Sequence, residues 1–153
     1  MGKRLHVVKK QREYGSVDAF NWCFDKFLKL LDVLGCCIES NDKYPDFWKL
    51  PKDEYNRSVA ILKIVREADV PMDGDLSEQK EKIDQIYNSD KFKKLFVDTE
   101  DSYCDITADS IDLYDVIDSL DSLDIDLDEL LDIMNSFLKE ADKKSDWIQF
   151  EAW

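Results

Sequence analysis

The chain has 153 residues, of which 44% are hydrophobic and 12% aromatic, and its formal net charge is −14. That length and apolar content support one globular domain, 1–153, with a core of its own, and only four Gly and three Pro favour long helices over a turn-rich β architecture. The negative charge argues against direct contact with nucleic acid or an anionic membrane, but permits a basic protein partner or divalent cations.

Residues 3–14 carry five basic side chains against one acid. Within them Leu5, Val7 and Val8, set among polar neighbours, predict a short strand. Ser16 suits a helix N-cap with Asp18 in the first turn, and the apolar spacing predicts a helix from Val17 to Leu34 closed by Gly35. Apolar residues from Phe20 and Trp22 through Phe27 and Leu31 cover most of its surface. This predicts a buried central helix with Cys23 packed inside. Residues 36–51 read as irregular, with an aromatic-rich loop holding Tyr44, Phe47 and Trp48 and ending at Pro51, which suits a helix start. The next helix spans 52–68, with Tyr55, Val59, Leu62 and Val65 on one face. Beyond a turn at 70–75, Asp75 and Glu78 are spaced as a capping box for a helix through Ile83, Ile86 and Tyr87. Ser89 suits the cap of a short helix carrying Phe92, Leu95 and Phe96.

Residues 98–138 then hold fourteen acidic side chains and no Lys or Arg, so the rest of the chain sums to zero charge. From Asp112 to Asp124 an Asp stands at every third position. On a continuous helix each step of three drifts by about 60°, so these acids cannot all share a face. The pattern predicts a break between Ser122 and Ile125, giving an acidic helical pair over 107–142. The first helix buries Leu113, Val116, Ile117 and Leu120, and turns Asp112, Asp115, Asp118, Ser119 and Ser122 outward. The second buries Leu127, Leu130, Leu131, Met134, Phe137 and Leu138, leaves Asp128 and Asp132 exposed, and takes Asp126 and Glu129 as its capping box.

The last residues alternate Ile148, Phe150 and Ala152 against Trp147, Gln149, Glu151 and Trp153, which reads as a strand. A lone strand is not viable, and residues 4–14 are its one convincing partner. The fold class expected is therefore α+β and mainly helical: five or six helices with a two-stranded sheet formed by the N- and C-terminal segments. The terminal patterns GKRLHVV…EYG…AFNW and SDWIQFEAW resemble small uncharacterised bacterial proteins. The resemblance covers about the first thirty-five and last twenty residues. It implies a bacterial, cytoplasmic protein and carries no function.

Cys23, Cys36, Cys37 and Cys104 form no CxxC pair and have no His cluster beside them, so no zinc site is expected. With no signal peptide visible, free thiols in a reducing cytoplasm are expected. Asp124, Asp126 and Asp128 match the first three ligand positions of a calcium loop. Glu129 then stands where that loop needs Gly and Asn135 where it needs a bidentate Glu, so helix capping explains the acids better and no metal is expected. Ala108-Asp-Ser110-Ile-Asp112 resembles the Asp-Ser-Leu site of acyl carrier proteins over about ten residues. Asp-Ser-Leu recurs at 118–120 and 121–123, which marks the match as compositional. One His, His6, and four scattered Gly provide neither a nucleophile's base nor a phosphate loop, so no catalytic residues and no cofactor are expected.

What remains is the acidic face. As a plain solvated surface it would serve solubility, partly offset by Lys91, Lys93 and Lys94. As a binding surface, with Asp112, Asp115, Asp118, Asp128 and Asp132 as contacts, it fits a basic protein partner. The reading it supports is a non-catalytic protein-binding domain, such as an immunity or inhibitor protein that blocks a basic toxin or nuclease surface. The alternative is a small regulatory or ligand-binding domain using Tyr44, Phe47 and Trp48.

Overall fold

A computed structural model describes residues 4–10, 13–19, 24–40, 47–72, 76–96 and 106–152. Five antiparallel strands form its sheet: β1 (Leu5–Lys10), β2 (Glu13–Ala19), β3 (Glu39–Ser40), β4 (Phe47–Pro51) and β5 (Trp147–Ala152), in the order β2-β1-β5-β4-β3. The two ends of the chain pair as expected, with Leu5 opposite Ala152 and Val7 opposite Phe150. The alternation in β5 holds: Ile148, Phe150 and Ala152 are buried, and the residues between them are half-buried.

The sheet is larger than the expected two strands, for local reasons. Ser16 and Val17 lie in β2, not at a helix start, and the first helix, α1 (Phe24–Val33), begins later. A hairpin to β1, through the pairs Leu5–Ala19 and His6–Asp18, overrides the capping potential of Ser16. Residues 47–51 are likewise not loop. They form β4, which pairs with β5 along its whole length from Phe47–Glu151 to Pro51–Trp147. The aromatics there suit a pleated strand, and Pro51 sits at its last position, where no ladder bond is lost.

Helix α2 (Lys52–Ala68) matches its expected limits, with Pro51 as N-cap. It is followed by α3 (Leu76–Tyr87), α4 (Asp90–Lys93), a 3-10 turn at Lys94–Phe96 and another at Ala108–Ser110. Ser89 caps α4 by accepting from the Phe92 amide; Asp75 lies outside the described residues. The acidic pair is α5 (Leu113–Leu123) and α6 (Leu127–Glu140). The break falls where the Asp spacing placed it, and Asp124 takes a left-handed conformation (φ 52°) between the two.

The expected central helix is displaced. In α1 the buried residues are Phe27, Leu30 and Leu31, while Asp25, Lys26, Lys29 and Asp32 are exposed; Cys23 lies outside the described residues. Helix α2 takes the central place, with nine buried residues, including Glu54, Arg57 and Ser58. The sheet and helices meet on rings: Phe150 lies 5.1 Å from Phe137 of α6, 6.2 Å from Tyr55 of α2 and 6.3 Å from Phe27 of α1, centroid to centroid. The Tyr55 hydroxyl, fully buried, donates to the Met134 carbonyl at 2.9 Å and so ties α2 to α6. No helix among the described residues is long and apolar enough to cross a membrane.

Candidate functional site

Helix α5 is held from three sides. At its start Asp112 accepts from the Tyr114 and Asp115 amides at 3.0 and 3.4 Å, satisfying two of the donors a helix N-terminus leaves open. The Tyr87 hydroxyl bridges the residues on either side of that cap. It donates to the Ile111 carbonyl at 2.6 Å and accepts from the Leu113 amide at 2.9 Å. Burial pushes its phenol pKa up. At the far end, the Lys26 ammonium of α1 donates to the Ser122 carbonyl at 3.1 Å, setting a cation on the negative end of the helix dipole. With both ends fixed, Leu113, Val116, Ile117, Leu120 and Leu123 face the core. Asp112, Asp115 and Asp118 are exposed, as the periodicity predicts. Ser119 departs from expectation: it is buried, because the interface with α1 covers that flank.

Helix α6 begins at Asp126, whose carboxylate accepts from the Asp128 amide at 3.0 Å. Asp126 is thus the N-cap the sequence placed, but it bonds the second helical amide, not that of Glu129, so the bond is a simple cap and not half of a capping box. Asp128 and Asp132 are exposed. Of the five predicted contacts only Asp128 has an ion pair among the described residues, with Arg66 of α2 at 3.0 Å. Asp118 shares a small groove with Lys26, Lys29, Ser119 and Ser122. Lys91 bonds Glu67 at 2.7 Å, not the acidic helices.

Other acids gather at one place that the sequence reading did not assemble. The C-terminal ends of α2 and α5 meet beside the start of α6 and enclose a cleft of about 430 Å³. Val65, Val70, Met72, Leu120, Ile125 and Leu127 form its apolar part; Asp69, Asp121, Asp124, Asp126 and Asp128 surround it, with Arg66. Asp69 and Asp124 both adopt positive φ (54° and 52°), the left-handed position that closes a helix and that Asp tolerates better than most side chains. Each amide closes its own helix, onto Arg66 and Asp121 respectively. Two helix C-termini bring partial negative charge to the five carboxylates, partly offset by the N-terminus of α6 and by Arg66, which pairs with Asp128. The sequence signal was present, since neither helix ends on Gly, but only folding brings residues 69 and 124 together.

No group of three His, Cys, Asp or Glu among the described residues could hold a metal ion. Ser110 ends a 3-10 turn and shares a hydrogen bond with Thr107 at 3.1 Å. Of the alternative ligand residues, Tyr44 lies outside the described residues, whereas Trp48 packs on Phe24 at 5.6 Å and Phe47 pairs with Glu151 in the sheet. Trp48 thus serves a contact between β4 and α1.

Of the thiols expected to be free, Cys36 is free and buried, whereas Cys37 is disulfide-bonded; Cys23 and Cys104 lie outside the described residues. The Cys36 thiol lies 2.9 Å from the Ser58 hydroxyl, and burial pushes its pKa up to about 12. No protein-family model matches this chain, nor does any curated protein or solved structure.

Proposed function

We propose that this is a non-catalytic protein-binding domain that docks a basic partner on the face built by α5 and α6, as an immunity or inhibitor protein would on a toxin or nuclease. The observation that carries this reading is the exposure of Asp112, Asp115, Asp118, Asp128 and Asp132 on one helical pair, one of them ion-paired among the described residues. Like charges so placed repel by a few tenths of a kcal/mol per neighbouring pair, and a basic surface removes that cost. It also gains steered association. The cleft beside these acids suits the long side chain of a Lys or Arg from such a partner. Its apolar part would take the aliphatic stem and its carboxylates the charge. The compartment that fits this reading is the cytoplasm of a bacterium.

The test is association kinetics of the triple change Asp112→Asn, Asp115→Asn, Asp118→Asn, with a partner recovered from the native host. The variant should associate at least tenfold more slowly in low salt. The gap should narrow as ionic strength rises, because screening removes the wild type's advantage. Association at the wild-type rate in low salt would show that this face does not steer docking.

A further inference from the structure

The cleft at the start of α6 differs from a solvated cluster of acids in what lies between its carboxylates. Val65, Val70 and Leu120 line it as buried residues, and Met72, Ile125 and Leu127 are half-buried along it. Its volume of about 430 Å³ is in the range of sites that enclose a side chain or a small ligand. Arg66, in the last turn of α2, pairs with Asp128 of α6 at 3.0 Å on the same lining. The chain itself thus seats one guanidinium against this surface.

One cation does not match the acids present. The carboxylates of Asp69, Asp121 and Asp124 have neither a hydrogen bond nor an ion pair among the described residues. They are also spread out: no three acids among the described residues converge closely enough to hold a metal ion. Charge spaced along an apolar wall fits an extended organic cation better than a point charge. Arginine has that form. Its planar guanidinium forks between carboxylates, is more weakly hydrated than an ammonium and tolerates apolar surroundings, while its methylene stem covers apolar surface.

We propose that the cleft is the seat of an arginine side chain from a basic protein partner, its guanidinium held among Asp69, at the end of α2, and Asp121 and Asp124, at the end of α5. Its stem lies on Met72, Ile125 and Leu127. This deepens the reading of the chain as a docking domain for a basic partner, on which it rests. Arginines that fill such desolvated seats are among the side chains that dominate interface energies, so the cleft holds the partner that the outer face attracts.

The test is a nuclear magnetic resonance titration of the full chain at physiological salt with acetylated tetra-arginine, and separately with tetralysine. Tetra-arginine should bind about tenfold more tightly, and its largest shifts should fall on the Val70, Ile125 and Leu127 amides. The double change Asp69→Asn, Asp124→Asn removes two charges from the cleft, and Asn keeps the left-handed conformation that both positions need. It should weaken tetra-arginine by about tenfold. The control Glu81→Gln, Asp84→Asn removes as much charge from α3, outside the cleft lining, and should leave binding unchanged. Equal affinity for the two peptides would overturn the proposal, since attraction by net charge alone has no preference for arginine. Equal weakening by the two double changes, or shifts centred on Asp112–Asp118, would overturn it as well. None of these outcomes uses the Asp112, Asp115 and Asp118 triple change, so the seat and the steering face fail separately.

Discussion

Helices α2 and α5 both carry charge, and they place it in opposite ways. On α2, Glu54, Arg57 and Ser58 point inward, and each bonds a neighbour in the turn after α1 or in its own helix. On α5, Asp115 and Asp118 point outward, away from Val116 and Ile117. Buried charge is costly unless it is bonded, so on α2 it marks a position the fold has to defend. Exposed charge of one sign costs little per residue, but a face of it gathers repulsion that folding does not relieve. The first kind shapes the molecule, and the second is left at its surface.

The sheet supports both regions, so removing part of it should break the comparison outright. Strand β5 is central, paired with β1 on one side and β4 on the other. Its Phe150 touches rings from α1, α2 and α6. Deleting 147–153 should therefore abolish cooperative unfolding, read by circular dichroism and calorimetry. Loss of Phe150 alone is of the kind that costs about 3–5 kcal/mol. A cooperative melt near the wild-type temperature would mean that the terminal pairing is dispensable.

A middle-sized effect isolates the buried side. Burial pushes the Cys36 thiol from an ordinary 9.0 to about 12 and lifts the Tyr55 phenol well above its ordinary 10.0. Both pKa values are raised on folding, so above pH 9 the unfolded chain releases protons that the folded chain keeps. Their contribution is complete below pH 9 and is lost as pH rises from there toward 12. The slope is roughly 1.4 kcal/mol per pH unit while one group titrates only in the unfolded state. Denaturant melts at pH 8, 9, 10 and 11 should show this decline. Cys36→Ala should flatten its first part, since Ser58 keeps its bond to the Glu54 carbonyl. An identical profile in that variant would show that the thiol is not the group responsible.

These two regions were unequally legible in the sequence. The acidic face was visible because it is local: a three-residue Asp period conflicts with a 3.6-residue turn, and the conflict is resolved at Asp124. The terminal pairing was visible because an alternating apolar strand at one end demands a partner. The other strands were hidden. In β2 a serine that can cap a helix sits in a hairpin instead, and in β4 five residues resembling a loop find both neighbours only after the chain has closed. The Glu54–Cys37 contact spans the α1–α2 connection, and a Glu in the first turn of a helix looks like an ordinary dipole partner. The acidic cleft was invisible for the same reason, as its lining comes from 65–72 and 120–128.

The smallest effect belongs to the exposed side and fixes its meaning without any partner. Asp112 differs from its neighbours, because its carboxylate caps α5. Asn is nearly as good an N-cap as Asp, so Asp112→Asn should cost little. Asp115 and Asp118 cap nothing and have no ion pair among the described residues; Asp118 faces the Lys26 and Lys29 groove, which limits what it gains. The triple Asn variant should therefore be as stable as the wild type or more stable by about 0.5 kcal/mol, a rise in melting temperature of one or two degrees. The gain should fade in high salt, where repulsion is already screened. A fall of several degrees at low salt would show that the Asp residues stabilise the fold through contacts of their own. The acidic face would then belong with Glu54, as charge that the molecule uses internally, and the slower docking expected of the same variant could no longer be read as lost steering.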